Sequence, residues 1–212
     1  MKAGMTRKTL RGADYLATLE AMREFSSQRD DNTPDELWQV EHAAIFTLGQ
    51  AGKEEHILNA GSIPVIRTER GGQVTYHGPG QVVIYTLIDI RRRGLLVKDM
   101  VLRLEQAMID TLTEFGILKA SRRPNAPGVY VPDGPDQSDL AKIGAIGLKV
   151  SRGRVYHGIA LNVRMDLAPF EGINPCGYAG LRTVDMATMG VLANWQSVAD
   201  QLCDEIELQL AR

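Results

Sequence analysis

Two residues stand in settings that could carry group transfer, Cys176 and Lys142. Cys176 lies in Gly172-Ile173-Asn174-Pro175-Cys176-Gly177-Tyr178. Neither Pro nor Gly continues a helix or a central strand, so a cysteine between them belongs to an exposed loop. A thiol there is a nucleophile if a neighbour favours its thiolate, and an incidental loop thiol if none does. Local spacing leaves both readings open. Cys203 contrasts with it, because its neighbours Leu202 and Ile206 place it on an apolar helix face as a small hydrophobe. Lys142 opens Lys142-Ile143-Gly144-Ala145-Ile146-Gly147-Leu148, and Tyr156-His157-Gly158-Ile159-Ala160 reads as the facing strand. Glycine weakens a strand and marks places where a ligand lies against it. Gly144, Gly147 and Gly158 with Ala145 and Ala160 therefore predict a narrow apolar floor suited to an extended alkyl chain. A lysine bordering such a floor can act as acid and base, although most lysines are solvated surface charges.

A third feature is glycine-rich: Arg70-Gly71-Gly72-Gln73-Val74-Thr75-Tyr76-His77-Gly78-Pro79-Gly80-Gln81. Such density lets backbone approach a ligand and leaves N–H groups free to face it. It lacks the Gly-Lys-Ser/Thr ending of a phosphate loop, and Val83 stands where a dinucleotide fingerprint needs its last glycine. Gly49-Gln50-Ala51-Gly52-Lys53 also fails as a phosphate loop, since Glu54 follows the lysine. The alternative to a ligand site is a set of tight turns. Polar, aromatic and titratable residues between two glycine clusters favour the site.

The remaining candidates are weaker. His42, His56, His77 and His157 are scattered without metal-ligand spacing, so no metal is expected. No Gly-x-Ser-x-Gly elbow exists, which argues against a serine hydrolase. Arg91-Arg92-Arg93, Arg122-Arg123 and Arg152 with Arg154 are local basic clusters, read either as solvated faces or as docking sites for an acidic partner. The net charge of -2 over 212 residues argues against a general nucleic-acid binder. No apolar run reaches membrane-spanning length, and the N-terminus has charge without an apolar stretch behind it. Two cysteines in different contexts suggest no disulfide framework, so a reducing cytoplasm is the expected compartment.

These residues need elements to hold them. Apolar spacing predicts a helix over 14–25, extended chain from Leu37 to Leu48, a short run from Ile63 to Ile66, and a buried strand from Val82 to Ile90. A helix follows over 100–115, with Asp99 as N-cap and Gly116 as its stop. Residues 121–139 read as an irregular loop around a short strand, Gly128-Val129-Tyr130-Val131. Lys142–Val150 and Arg154–Val163 read as a hairpin turning at Ser151-Arg152-Gly153. Trp195, Val198, Leu202, Ile206 and Leu210 mark a C-terminal helix. Strands in the middle with helices at both ends predict one α/β or α+β domain over 1–212, with a mixed, mostly antiparallel sheet.

The Arg70–Gln81 segment resembles the signature of the lipoyl(octanoyl) transferases. Glu41-His42 with Thr47-Leu48-Gly49, Pro127-Gly128-Val129-Tyr130-Val131, Lys142 to Gly147, His157 to Asn162 and Pro175-Cys176-Gly177 follow in that family's order. The resemblance covers about residues 10 to 180. It implies the fold of biotin and lipoate protein ligases. It implies that Cys176 is the nucleophile and Lys142 the partner that favours its thiolate. It assigns Arg70, Gly71, Gly72, Gln73, Val74, Thr75, Tyr76 and His77, with Ala145, Ile146, Gly147, Gly158, Ile159 and Ala160, to the acyl-substrate pocket. The implied donor is octanoyl–acyl carrier protein. The implied acceptors are lipoyl domains of 2-oxoacid dehydrogenase complexes and the glycine cleavage H protein, with no cofactor required. Arg182-Thr183-Val184-Asp185-Met186 departs from the family's Val-Thr-Ser-like stretch. The rival readings are an ATP-dependent lipoate or biotin ligase and a non-catalytic module that holds an acyl carrier or lipoyl domain.

Overall fold

The computed structural model describes residues 5–134, 137, 139–175 and 180–212. In chain order the elements are β1 (Thr6–Ala13), α1 (Tyr15–Gln28), β2 (Glu36–His42), β3 (Ile45–Leu48), β4 (Val65–Arg67), β5 (Val74–His77), β6 (Gln81–Asp89), α2 (Val97–Glu114), β7 (Ser121–Arg123), β8 (Ala126–Asp133), β9 (Asp139–Ser151), β10 (Arg154–Asn162), α3 (Ala168–Glu171) and α4 (Trp195–Ala211). The main sheet has seven strands in the order β1-β2-β6-β10-β9-β8-β7. Only β1 and β2 pair in parallel; every other neighbour pair is antiparallel. A second sheet, β4-β3-β5, has one parallel and one antiparallel pair. The mixed, mostly antiparallel α/β architecture read from the sequence is the one observed.

Burial explains the layering. Strand β6 is buried along its whole length, which is why it reads as a continuous apolar run rather than an alternating one. Helices α2 and α4 cover one face of the main sheet through Met100, Leu104, Met108, Trp195, Leu202 and Ile206. Helix α1 covers the other face through Tyr15, Leu19 and Met22. Its start is fixed by Asp14, whose carboxylate accepts from Ala17 N–H at 2.8 Å, and α4 is capped likewise by Asn194. The β9–β10 hairpin turns where expected. Arg152 (φ 52°) and Gly153 (φ 74°) are both left-handed, the pattern of a tight hairpin turn matched to sheet twist.

Three expectations are corrected. Helix α2 begins at Val97, so Asp99 is not its cap; it lies in the first turn and accepts the Leu96 N–H at 3.0 Å. The extended segment Leu37–Leu48 breaks after His42, and its halves enter different sheets. The short strand expected over 128–131 is present but longer, as β8, and β7 pairs with it where irregular loop was expected. No helix among the described residues is long and apolar enough to cross a membrane.

Candidate functional site

A cleft of about 750 Å³, including its open mouth, lies between the α1-side face of the main sheet and the smaller sheet. The β9–β10 hairpin forms its floor. Ala145 faces Ala160 across the ladder, Ile146 faces Ile159, and Gly147 faces Gly158. The small residues keep the floor low. Gly158 has no room for a side chain, since a Cβ there would stand 1.9 Å from the Ile84 carbonyl oxygen of β6.

The glycine-rich segment forms a wall. Gly72, Gln73, Val74, Thr75 and His77 line the cleft together with Arg70. Arg70 is the clasp of this wall. It is buried, and its guanidinium donates to Thr47 Oγ1 (Nε, 3.1 Å; Nη2, 2.9 Å) and to the carbonyls of Thr47, Gly71 and Gln73. Gly71 N–H donates to Leu148 O at 2.8 Å, which clips the wall to the end of β9. Two predicted pocket residues do not line the cleft. Gly71 serves as that clip, and the Tyr76 ring packs against Phe46 and Phe170 in the core of the small sheet.

Lys142 lines the cleft and is buried, not solvated. Its Nζ donates to the Pro127 carbonyl at 3.2 Å and stands 5.5 Å over the Tyr130 ring. Room for the amine comes from Gly128, where a Cβ would meet Lys142 Cε at 2.9 Å and Nζ at 3.1 Å.

Cys176 and Gly177 lie outside the described residues. The chain on either side is anchored. Before it, Ile173 bridges Ile57, Asn174 N–H donates to His56 O at 2.9 Å, and Pro175 lines the cleft. After it, Lys142 N–H donates to Arg182 O at 2.8 Å, and Val184 N–H donates to Lys142 O at 2.9 Å. That is a parallel bridge between Thr183 and Lys142, so the two side chains share a face of the ladder. Both line the cleft, and Thr183 Oγ1 is enclosed without a hydrogen-bond partner among the described residues. The segment is held further by Asn162, whose Nδ2 donates to Val184 O at 2.9 Å and whose carbonyl accepts from Met186 N–H at 3.0 Å.

The structure joins three histidines that the sequence shows as scattered. His42 and His157 flank Tyr85 with ring centroids at 5.7 and 6.0 Å, and His77 lies 6.0 Å beyond His42. His42 Nδ1 faces the Ala13 carbonyl, which can only accept, so Nδ1 carries the proton and Tyr85 O–H donates to Nε2 at 2.8 Å. Gln81 turns its amide nitrogen to Asn162 Oδ1 and its oxygen to His77, making His77 Nδ1 the donor at 2.7 Å. Burial favours the neutral form and lowers all three, His77 to about 3 and His157 to about 4. His157 is also strained. Its φ of 62° turns its ring to the same side as Tyr156, and the two stack at 5.3 Å. Tyr15, Gln81, Val83, Tyr85, Asn162 and Phe170 complete the lining. Gln81 and Asn162 close motifs singled out in the sequence, whereas Tyr15, Val83, Tyr85 and Phe170 carry no local signal and are joined only by the fold.

Other candidates resolve as structure. Cys203 is fully buried on α4 and pushed up to about 12 by desolvation, in keeping with a packed small hydrophobe. Of the Arg91-Arg92-Arg93 cluster, Arg91 stays exposed and pairs with Asp31, while Arg92 and Arg93 converge with Arg29 on buried Asp35.

Comparison with known proteins identifies the family. The family described as lipoyl protein ligase A/B catalytic domain matches residues 14–207. An octanoyltransferase of Bordetella petrii is 56% identical over 202 residues, covering 95% of this chain and 94% of the relative. One of Paraburkholderia phytofirmans is 55% identical over 204 residues, covering 94% and 84%. Among solved structures, a bi-partite lipoate protein ligase of Thermoplasma acidophilum superposes with a TM-score of 0.75 at 16% identity, covering 98% of this chain and 85% of that one. The biotin protein ligase of Aquifex aeolicus superposes at 0.60 with 12% identity, covering 99% and 71%. At such identities these two show the shared fold alone. The chain belongs to the lipoyl protein ligase A/B catalytic domain family and, within it, to the octanoyltransferases, which are acyltransferases.

Proposed function

We propose that this acyltransferase moves an octanoyl group from the thioester of an acyl carrier protein to a lysine of a lipoyl domain, through a thioester on Cys176. The observation that carries this reading is the meeting of a small-residue floor with a buried lysine, beside the two anchored ends of the Cys176 segment. The alkyl chain lies along Gly144 to Gly147 and Gly158 to Ala160, under the Gly72–Thr75 wall.

In the first step the Cys176 sulfur attacks the thioester carbon. A new C–S bond forms, the bond to the carrier sulfur breaks, and Lys142 carries the Cys176 proton to the leaving carrier thiolate. The transient oxyanion needs preorganised donors. The Thr183 hydroxyl, backbone N–H groups of the glycine-rich strands and the Gly177 region are candidates. In the second step the acceptor amine attacks the acyl-enzyme. A C–N bond forms, the C–S bond breaks, and Lys142 returns the proton lost by nitrogen to the Cys176 thiolate. Exchange of one thioester for another is nearly balanced, and amide formation drives the sum forward. Acceptors of this kind include lipoyl domains of 2-oxoacid dehydrogenases and the glycine cleavage H protein, and the cytoplasm is the fitting compartment.

The test is the mass of the protein after incubation with octanoyl–acyl carrier protein. One octanoyl group on Cys176, absent in Cys176→Ser along with transfer, is expected. An adduct on Cys203 instead, or activity confined to free octanoate plus ATP, would overturn the reading.

A further inference from the structure

We propose that Glu105 is a positioning residue for acyl transfer, holding the Lys142 amine at the cleft through the Pro127–Gly128 peptide group. The proposal rests on the reading of Lys142 as the proton carrier. Glu105 is a buried carboxylate in the middle of α2, outside the cleft lining. Helix formation does not require it, and an apolar side chain would pack more cheaply beside Leu104 and Met108.

Its contacts show a use. Glu105 Oε1 accepts the Gly128 N–H at 2.8 Å, and Oε2 accepts from Arg122 Nε at 3.1 Å. Arg122 is tied in turn to the α2 surface, through the Leu102 carbonyl at 2.8 Å and Gln106 Oε1 at 3.0 Å. The Gly128 N–H and the Pro127 C=O belong to one planar peptide, and in a trans peptide they point in opposite directions. Glu105 therefore grips one edge of this plane while Lys142 Nζ donates to the other at 3.2 Å. The carboxylate fixes which way the carbonyl points and polarises it as an acceptor. Gly128 makes the arrangement possible. Its φ of 131° lies in a region other residues avoid, and a Cβ would also strike Gly144 O at 2.6 Å. The same freedom would let this peptide turn over if Glu105 released it, leaving the amine facing an N–H.

Three variants and a cycle test the idea in the full-length enzyme. Glu105→Asp keeps a charge near Arg122 but withdraws it by one methylene from Gly128. It is expected to fold and to lose ~10²-fold in kcat, the scale of a misplaced catalytic group. The KM for octanoyl–acyl carrier protein should stay within about threefold, because substrate binding is untouched. Glu105→Gln, whose amide oxygen can still accept from Gly128, should recover to within about tenfold of wild type. Glu105→Leu should match or exceed the loss in Glu105→Asp. In a Lys142→Ala background, Glu105→Asp should change the residual rate less than about twofold, since a residue acting only through Lys142 has nothing left to position. Full activity in Glu105→Asp, or a further large loss on top of Lys142→Ala, would overturn the proposal. Near-normal rates in Lys142→Ala alone would instead overturn the reading of Lys142.

Discussion

Replacing Lys142 by Met should separate chemistry from stability. The side chain is buried, so its contribution has two parts of opposite sign. The variant loses the hydrogen bond to the Pro127 carbonyl, worth ~1.5–3 kcal/mol for a charged donor. It also loses a cation held over the Tyr130 ring, worth ~0.5–1 kcal/mol. Against this, keeping a cationic amine out of water costs several kcal/mol, which the thioether does not incur. Met has nearly the same length and adds apolar contact of ~1.5–3 kcal/mol when fully buried. The two sides come out near zero or ~2 kcal/mol in favour of the variant, which for this chain length is a melting temperature unchanged or raised by ~4–8 °C.

Activity should move the other way. Losing a positioned proton carrier costs ~10²–10⁴-fold in rate. Thermal unfolding by circular dichroism gives the first quantity. Octanoyl transfer to a lipoyl domain, followed by mass spectrometry, gives the second. A variant that is both destabilised by more than ~2 kcal/mol and inactive would make Lys142 a structural group, since burial of the charge would then be a net gain. A stable and active variant would remove it from the reaction altogether.

Two further perturbations probe the cleft walls. Thr47→Val removes the hydroxyl that Arg70 Nε and Nη2 share, at a cost of ~1.5–3 kcal/mol for a charged hydrogen bond. The loosened wall should raise KM for the octanoyl donor more than it lowers kcat in steady-state assays, and an unchanged KM would show that Arg70 does not shape the pocket. The histidine cluster makes stability pH-dependent. His42, His77 and His157 are all lowered by burial, so the unfolded chain binds more protons than the folded one once the pH falls below ~6.5. Their contribution is complete above that value and is lost on the way down towards about 4 for His157 and about 3 for His77. Three such groups set a slope of up to ~4 kcal/mol per pH unit near pH 5. Asp35 and Glu69 are lowered too, but their stabilisation is lost only as the pH falls through and below the ordinary carboxylate range, under the histidine window. Urea midpoints should therefore be flat from pH 8 to 7 and fall steeply from 6 to 5; a flat profile across that second interval would mean the imidazoles are not buried as neutral groups.

Local rules read the hairpin correctly because its signals are local. Two extended runs flank Ser151-Arg152-Gly153, which supplies the turn chemistry between them. Strand β1 gives no such signal, because it is an exposed edge whose parallel partner arrives two dozen residues later. The triple-arginine run divides for a related reason: Arg91 stays in solvent as the run's composition suggests, while the fold brings buried Asp35 beneath Arg92 and Arg93. The most instructive failure is β8. Pro127 reads as the end of a loop and Gly128 as the start of a short strand, since one lacks an N–H and the other weakens pairing. In the fold they are the place where strand pairing yields to the needs of Lys142. The register of β8 on β9 shifts between Val129 and Tyr130, Gly128 takes a φ that only glycine tolerates well, and the freed carbonyl turns to the amine. His157 departs from strand geometry in the same way and also borders the cleft. Sequence patterning thus breaks where the chain gives up regular pairing to set side chains against the cleft. Glu105 belongs with those breaks, because a carboxylate on an apolar helix face is intelligible only when the peptide it grips, and the lysine beyond that peptide, are in view.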